Sequence, residues 1–415
     1  MKVFLTCYGG AHIAAILPLY ETLVTRGHEC HLLALTTAGE VARRAGIPHS
    51  RPIDFTDVSN PDIHRLGERL AQRHHTDGKG LSRAESIAYL GTSFLELAED
   101  LGEDAAWRRY EQLGLNALSP VRFMRRILSE LAPDVVVATT SPRMEKAALR
   151  AAFQMDVPSL CMIELFGLLE EQWLSRPDNG HVLAVSRHDV VRRMIAAGRN
   201  CVDIHMTGSP MFDPLADVSL RESGRTWRRE RRVGADEKLV FWAEQPEPGD
   251  PELPRRVRAH LTEACRRNGW RLVVRLHPSS TNHANESIPD GCIHSLPDEA
   301  LSHVIHACDV GVTLTSTVGW ELLLCDKPVL VIRVSAYRDA VTYGEQDGAL
   351  AVETLEEAEA GLMQLLTDCA CANDMKRLRA QLPRPGGASD RISDLIENTV
   401  LLRRYSLEMN RTTQK

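Results

Sequence analysis

A run of hydroxyls closed by a carboxylate stands in DVGVTLTSTVGWELLLCDKPVLVI, residues 309–332. Residues 309–314 read as a strand, Thr315, Ser316 and Thr317 as its turn, and 318–324 as the first turns of a helix. Hydroxyls and unpaired amides at a helix N-terminus form an anion site, because the positive end of the dipole faces the ligand. Glu321 lies five residues beyond Ser316, where a carboxylate reaches a ribose attached to a bound phosphate. An ordinary Ser/Thr cap with a surface glutamate gives the same pattern. A second strand end points the same way: VVRLHPSS (273–280) delivers Arg275, His277, Ser279 and Ser280 just past a strand. An imidazole there can donate to a phosphate oxygen and Arg275 can add charge. One His-Pro pair carries little weight, and two strand ends offering phosphate donors carry more.

A different chemistry is offered at the opening, YGGAHIAAILPLYETLVTRGH (8–28). Gly9 and Gly10 let the backbone pass close beneath a ligand, and His12 stands where the first strand turns into the first helix. Its ordinary pKa of about 6.5 suits proton transfer near neutrality; packing or capping of the helix is the plainer reading. Glu164 ends the buried strand PSLCMIEL (158–165) and competes for the same work, since burial raises a carboxyl's pKa toward useful values. Pairing with Arg143 is its structural alternative. Thr139, Thr140 and Ser141 end another strand and either bind a ligand, orient His12 or cap the next helix.

The elements that must position these residues alternate. A strand at 2–7, a helix at 11–25 closed by Gly27, a strand at 31–35 and a helix in TAGEVARRAGI open the chain. After a helical, polar stretch (about 53–126), strands recur in PDVVVATTSP, PSLCMIEL and HVLAVS, with a helix at 144–154 between the first two. VDIHMTGSPMFDPL (202–215), with Gly208, Ser209 and Pro210, reads as a domain exit. The basic RESGRTWRRERR (221–232) reads as a solvated helix near a linker, or as a surface for anionic acceptors or lipid head groups. A second alternating series follows in KLVFWAEQ, WRLVVRLHPSS, CDVGVTLTST, KPVLVIRV and GALAVE, and 389–402 reads as a closing helix. Strand–helix alternation implies parallel pairing with right-handed crossovers. The expectation is two doubly wound α/β domains: 1–212 with a helical insertion, a linker at 213–234, 235–388, and a C-terminal helix and tail at 389–415.

Bulk properties narrow the function. At 415 residues the chain suits two domains of roughly 200 residues each. A net charge of -7 argues against nucleic acid as the main partner. Ten cysteines without paired metal-ligand spacing argue against a zinc site and for a reducing cytoplasm. No apolar run reaches the roughly 20 residues of a membrane span, and no signal peptide is read at the start. Contact with a membrane surface stays compatible.

These stretches carry a resemblance. GGAHIAAILPLYETL is similar to the Gly-Gly-x-His opening of GT-B transferases, and VDIHMTGSPMFDPL resembles the V-T-G-N-P-V-x-D exit of the UDP-N-acetylglucosamine 2-epimerase group. RLHPSS is similar to the H-P motif of several bacterial transferases. TSTVGWELLLCDKPVL resembles the hydroxyl-rich phosphate loop, ribose-binding Glu and G-K-P-V-L segment. Asp326 departs from the Gly usual before Lys-Pro, and Trp320 stands where the epimerase pattern carries Gln.

The resemblance to this nucleotide-sugar superfamily implies a GT-B fold with an interdomain cleft. It implies donor phosphates on Ser316 and Thr317, ribose on Glu321, and the diphosphate or sugar on His277. His12 or Glu164 would then take the proton from an acceptor hydroxyl attacking the anomeric carbon, with Thr140 and Ser141 on the acceptor side. The expected protein is a metal-independent, cofactor-free glycosyltransferase acting on a carbohydrate, lipid-linked or small-molecule acceptor, with a homodimer compatible. An epimerase-like isomerase ranks second: it needs several acid/base carboxylates, of which Glu164 is offered, and its R-P-E opening and Gly-Gly phosphate loop are missing. A catalytically silent nucleotide-sugar-binding subunit is the third reading.

Overall fold

Long apolar runs such as VVVA and LVFWA suit strands covered on both sheet faces, which is the environment of parallel sheets. The computed structural model describes residues 1–77, 80–163, 167, 171–247, 249–277, 288–339 and 343–413. They form two compact units, 1–213 with 386–415, and 214–385.

The first unit is built on a six-stranded parallel sheet of β1 (Lys2–Cys7), β2 (Glu29–Ala34), β3 (Val135–Ala138), β4 (Ser159–Met162), β5 (Val182–Val185) and β6 (Ile204–Met206). Their spatial order is β2-β1-β3-β4-β5-β6. Successive side chains of a strand face opposite ways, and this sorts the core. Phe4 and Val136 join Leu66, Leu70, Tyr89, Phe94 and Trp107 on one side. Val3, Leu5, Val135 and Val137 join Ile16, Leu19 and Leu23 of the helix Ala11–Thr25 on the other. The helical stretch read as an insertion, with helices Pro61–His74, Arg83–Leu101, Glu103–Leu113 and Val121–Leu131, thus supplies a covering layer of this unit.

The second unit repeats the architecture with β7 (Leu239–Ala243), β8 (Arg271–Arg275), β9 (Ile293–His294), β10 (Val310–Thr313), β11 (Val329–Ile332) and β12 (Leu350–Val352). Its order is β12-β11-β10-β7-β8-β9, again all parallel. In each sheet the chain first grows toward one edge and then crosses to the other side of its starting strand. The crossing falls between β1 and β3 in the first unit and between β7 and β10 in the second. Open α/β sheets hold their ligands at the carboxyl ends of the strands flanking such a crossing.

Two expectations about boundaries are corrected. The segment at 213–234 is not a linker, for Leu220–Glu230 is a helix of the second unit with Trp227 buried. Arg228 donates to the carbonyls of Ala307 (2.9 Å), Gly234 (2.9 Å) and Glu237 (2.6 Å) and to Asp309 (3.0 Å). The closing helix, Ala388–Thr413, is not separate either: Ile392, Ile396 and Val400 complete the core beside Ile16, Leu19 and Leu23. Asp213 caps it by accepting from the amides of Ala388 (2.8 Å) and Ser389 (2.9 Å). The exit residues are held beside it. Arg391 Nε donates to the carbonyl of Thr207 (2.8 Å), the Gly208 amide donates to Val185 (3.1 Å), and Pro210 is buried past Ser209. Among the described residues no helix is long and apolar enough to cross a membrane.

Candidate functional site

In the first unit, parallel register sets Thr6 of β1 beside Ala138 of β3, so the two strands end together. Past β1, Tyr8, Gly9 and Gly10 lead into the helix bearing His12 at its second residue. Gly9 is required by close approach, since a Cβ there would lie 1.9 Å from Thr37 Oγ1. Past β3, Thr139, Thr140 and Ser141 are buried and lead into the helix Met144–Gln154.

His12 Nδ1 lies 2.6 Å from Thr139 Oγ1, and Thr139 donates its hydroxyl hydrogen to Glu145 Oε1 at 2.7 Å. Thr139 has one hydrogen to give, so the imidazole must be the donor in the first contact. Nδ1 therefore carries hydrogen and Nε2 is the basic nitrogen. Nδ1 also lies 3.3 Å from Glu145 Oε1. Glu145 is fully buried and accepts from the amides of Tyr8 (2.8 Å) and Ser141 (2.5 Å) as well. A carboxylate held by three donors and set behind an imidazole fixes the tautomer and stabilises the cation that forms when Nε2 takes a proton.

Around this relay Tyr8 and Tyr89 share a hydroxyl contact of 2.6 Å. Burial raises both phenols above their ordinary value, so both stay neutral. The structure brings His12, Thr139 and Ser141 to one strand crossing, with Thr140 buried among them. Glu164 lies outside the described residues. Glu145 was missed in the sequence because Ser141 and Glu145 are four apart, whereas the familiar capping spacing is three.

In the second unit the turn after β10 is fastened from below. Gln245, past β7, accepts from the Thr315 amide (2.9 Å) and donates to Thr315 Oγ1 (2.5 Å). Thr313 Oγ1 accepts from the Ser316 amide (3.1 Å), and the Tyr343 hydroxyl donates to the Ser316 carbonyl. Ser316 caps the helix Thr317–Leu324, its oxygen accepting from the Val318 amide at 3.3 Å. Ser316 and Thr315 oxygens act here as acceptors, which leaves each hydroxyl hydrogen for a ligand; Thr317 is exposed.

Glu321 is half-buried one turn along this helix. Burial pushes its carboxyl up to about 7, with Arg275 opposing the shift. Arg275 donates to Ser295 Oγ (3.0 Å) and to the carbonyls of Pro297 (3.1 Å) and Glu299 (3.0 Å), and burial lowers its pKa against the pull of Glu321. These bonds tie Arg275 to the 295–299 loop. His277 stands two residues past β8; β8 and β10 both flank β7, so their ends lie roughly 10 Å apart. Ser279 lies outside the described residues. Among the described residues no three His, Cys, Asp or Glu converge as a metal set.

Asp326 explains its departure from the expected glycine. Its φ is +57, the left-handed turn glycine adopts without strain, and Arg379 Nε donates to its carboxylate at 3.0 Å.

No protein-family profile and no curated protein sequence matches the chain. Solved structures do. A UDP-GlcNAc 2-epimerase from Neisseria meningitidis, bound to UDP-GlcNAc, is 13% identical over 97% of this chain and 100% of that one, with a TM-score of 0.60. The calicheamicin glycosyltransferase CalG4 is 14% identical over 96% and 98%, at 0.58. MurG of Acinetobacter baumannii is 13% identical over 96% and 99%, at 0.55. Two parallel six-stranded sheets in the order found here, matched over nearly the whole length of such proteins, give this chain the GT-B fold that nucleotide-sugar epimerases and glycosyltransferases share.

Proposed function

We propose that the chain is a glycosyltransferase in which the second unit binds a nucleotide-sugar donor and His12 of the first is the general base. The observation that carries this reading is the His12–Thr139–Glu145 relay at a strand crossing. An acceptor hydroxyl gives its proton to His12 Nε2 while its oxygen attacks the anomeric carbon. The bond from that carbon to the nucleotide diphosphate breaks, and the imidazolium is stabilised by the Glu145 carboxylate through Thr139. The hydroxyls of Thr315, Ser316 and Thr317, the dipole of the helix behind them, and His277 take up the charge of the leaving diphosphate. Glu321 receives the ribose. No step calls on a bound cation, so chelator should leave the rate unchanged.

The test has two parts. A thermal-shift series with UDP, GDP, CMP, CDP and dTDP should find one nucleotide that raises the melting temperature, and Ser316→Ala with Glu321→Ala should weaken it. Nucleotide release should then require acceptor and be lost in His12→Ala, with nucleotide binding intact. An epimerised sugar nucleotide formed without acceptor would replace this reading with the isomerase. Binding without turnover of any donor would leave a binding subunit.

A further inference from the structure

Arg143 is a strongly basic side chain beside the relay, and it lies partly below the surface. Its guanidinium carbon stacks 4.1 Å from the centre of the Tyr8 ring, and the same ring meets His12 edge-on at 6.3 Å. Arg143 and His12 therefore flank one tyrosine at the carboxyl ends of neighbouring strands. Arg143 Nε reaches Ser141 Oγ at 3.3 Å, and the Tyr89 hydroxyl is a further partner.

Among the described residues Arg143 has no counter-ion. Among the described residues no carboxylate pairs with it within salt-bridge distance. The closest in influence is Glu145, whose oxygens are taken by Tyr8, Ser141, Thr139 and His12. Tyr8 and Tyr89 are neutral phenols and bring no counter-charge. Taking a guanidinium partly out of water without a counter-ion is costly, and its planar fork with an aromatic floor suits a carboxylate or phosphate.

We infer that Arg143 binds an oxyanion on the acceptor, a carboxylate or a phosphate, and so selects acidic acceptors for the hydroxyl that faces His12. This rests on the transferase reading, whose acceptor class it names. Acceptors of this kind gain twofold: the anion is held in a charge-assisted bond, and its anchoring fixes the distance between the hydroxyl and Nε2.

The experiment follows the His12 ring resonances by NMR, assigned by their loss in His12→Gln. The probes are D-glucuronate for a carboxylate, inorganic phosphate for a phosphate, and D-glucose as the neutral control. In the native protein one or both anions should move the His12 signals saturably at millimolar concentration, and glucose should not. Arg143→Met keeps an apolar stem on the Tyr8 face and removes the charge; it should weaken the anion at least about tenfold. Should that variant not fold, Arg143→Gln takes its place. A melting temperature within a few degrees of native and an unchanged nucleotide-induced thermal shift mark either as folded.

The inference is overturned if His12 ignores both anions in the native protein, or if the anions act equally on the variant. The arm that responds separates a carboxylate-bearing acceptor from a phosphorylated one. Failure of the transferase reading looks different, for then no nucleotide raises the melting temperature or release proceeds without acceptor, whatever the His12 signals do.

Discussion

Thr139 has a single hydroxyl hydrogen and spends it on Glu145, so its oxygen can only receive from His12. Thr139→Val keeps the shape and removes both contacts. It should lower kcat about tenfold to a hundredfold with acceptor KM nearly unchanged, as steady-state rates will show; an unaltered kcat would mean the relay is only packing. Glu321 gives a pH signature. Its folded-state value of about 7 lies above the ordinary 4.5. Its contribution to stability is therefore whole below about pH 4.5 and lost as pH rises through 7. Without ligand, Glu321→Gln should flatten the fall in melting temperature between pH 5 and pH 8, and equal slopes in both proteins would refute the assignment. His12 could be picked out from its sequence neighbours alone, whereas Glu145 could not. Glu145 meets His12 only because β3 lies next to β1, and no local spacing reports strand order.

At the scale of elements, the turn joining the helix Thr317–Leu324 to β11 depends on Asp326 and Arg379. Asp326→Ala keeps a left-handed backbone without the Arg379 bond and should cost about 1–3 kcal/mol. Asp326→Gly relieves the backbone and should cost less, an order that chemical denaturation can check. Most strands were legible because runs such as VVVA and LVFWA are apolar at every position, as only strands covered on both sides need be. The helix Leu220–Glu230 was read as a helix, but as a solvated one near a linker, for the opposite reason. Its arginines dominate the composition, while its packing rests on Trp227, on Gly224 against the backbone of His306, and on Arg228 bonding to carbonyls. A cation satisfied by main-chain oxygens looks, in sequence, like one satisfied by water.

For the molecule as a whole, the division of the chain was half legible. Two alternating series announce two units, but nothing near residue 390 says that its partner is the helix Ala11–Thr25. Burying Ile392, Ile396 and Val400 is worth about 1.5–3 kcal/mol each, comparable in sum with the whole stability of a typical domain. Ending the chain after Pro385 should therefore abolish or sharply lower the calorimetric transition of the first unit, and leave that of 214–385 in place. Loss of both transitions together would mean that the units do not melt independently.

The same return of the chain sets an order of events during synthesis. The strands at 2–7 and 29–34 leave the ribosome hundreds of residues before the helix that shields them. Nascent chains ordinarily complete their leading domain first. Here the middle segment can finish while the leading one still waits, its aliphatic face uncovered, for the helix Ala388–Thr413 to be translated.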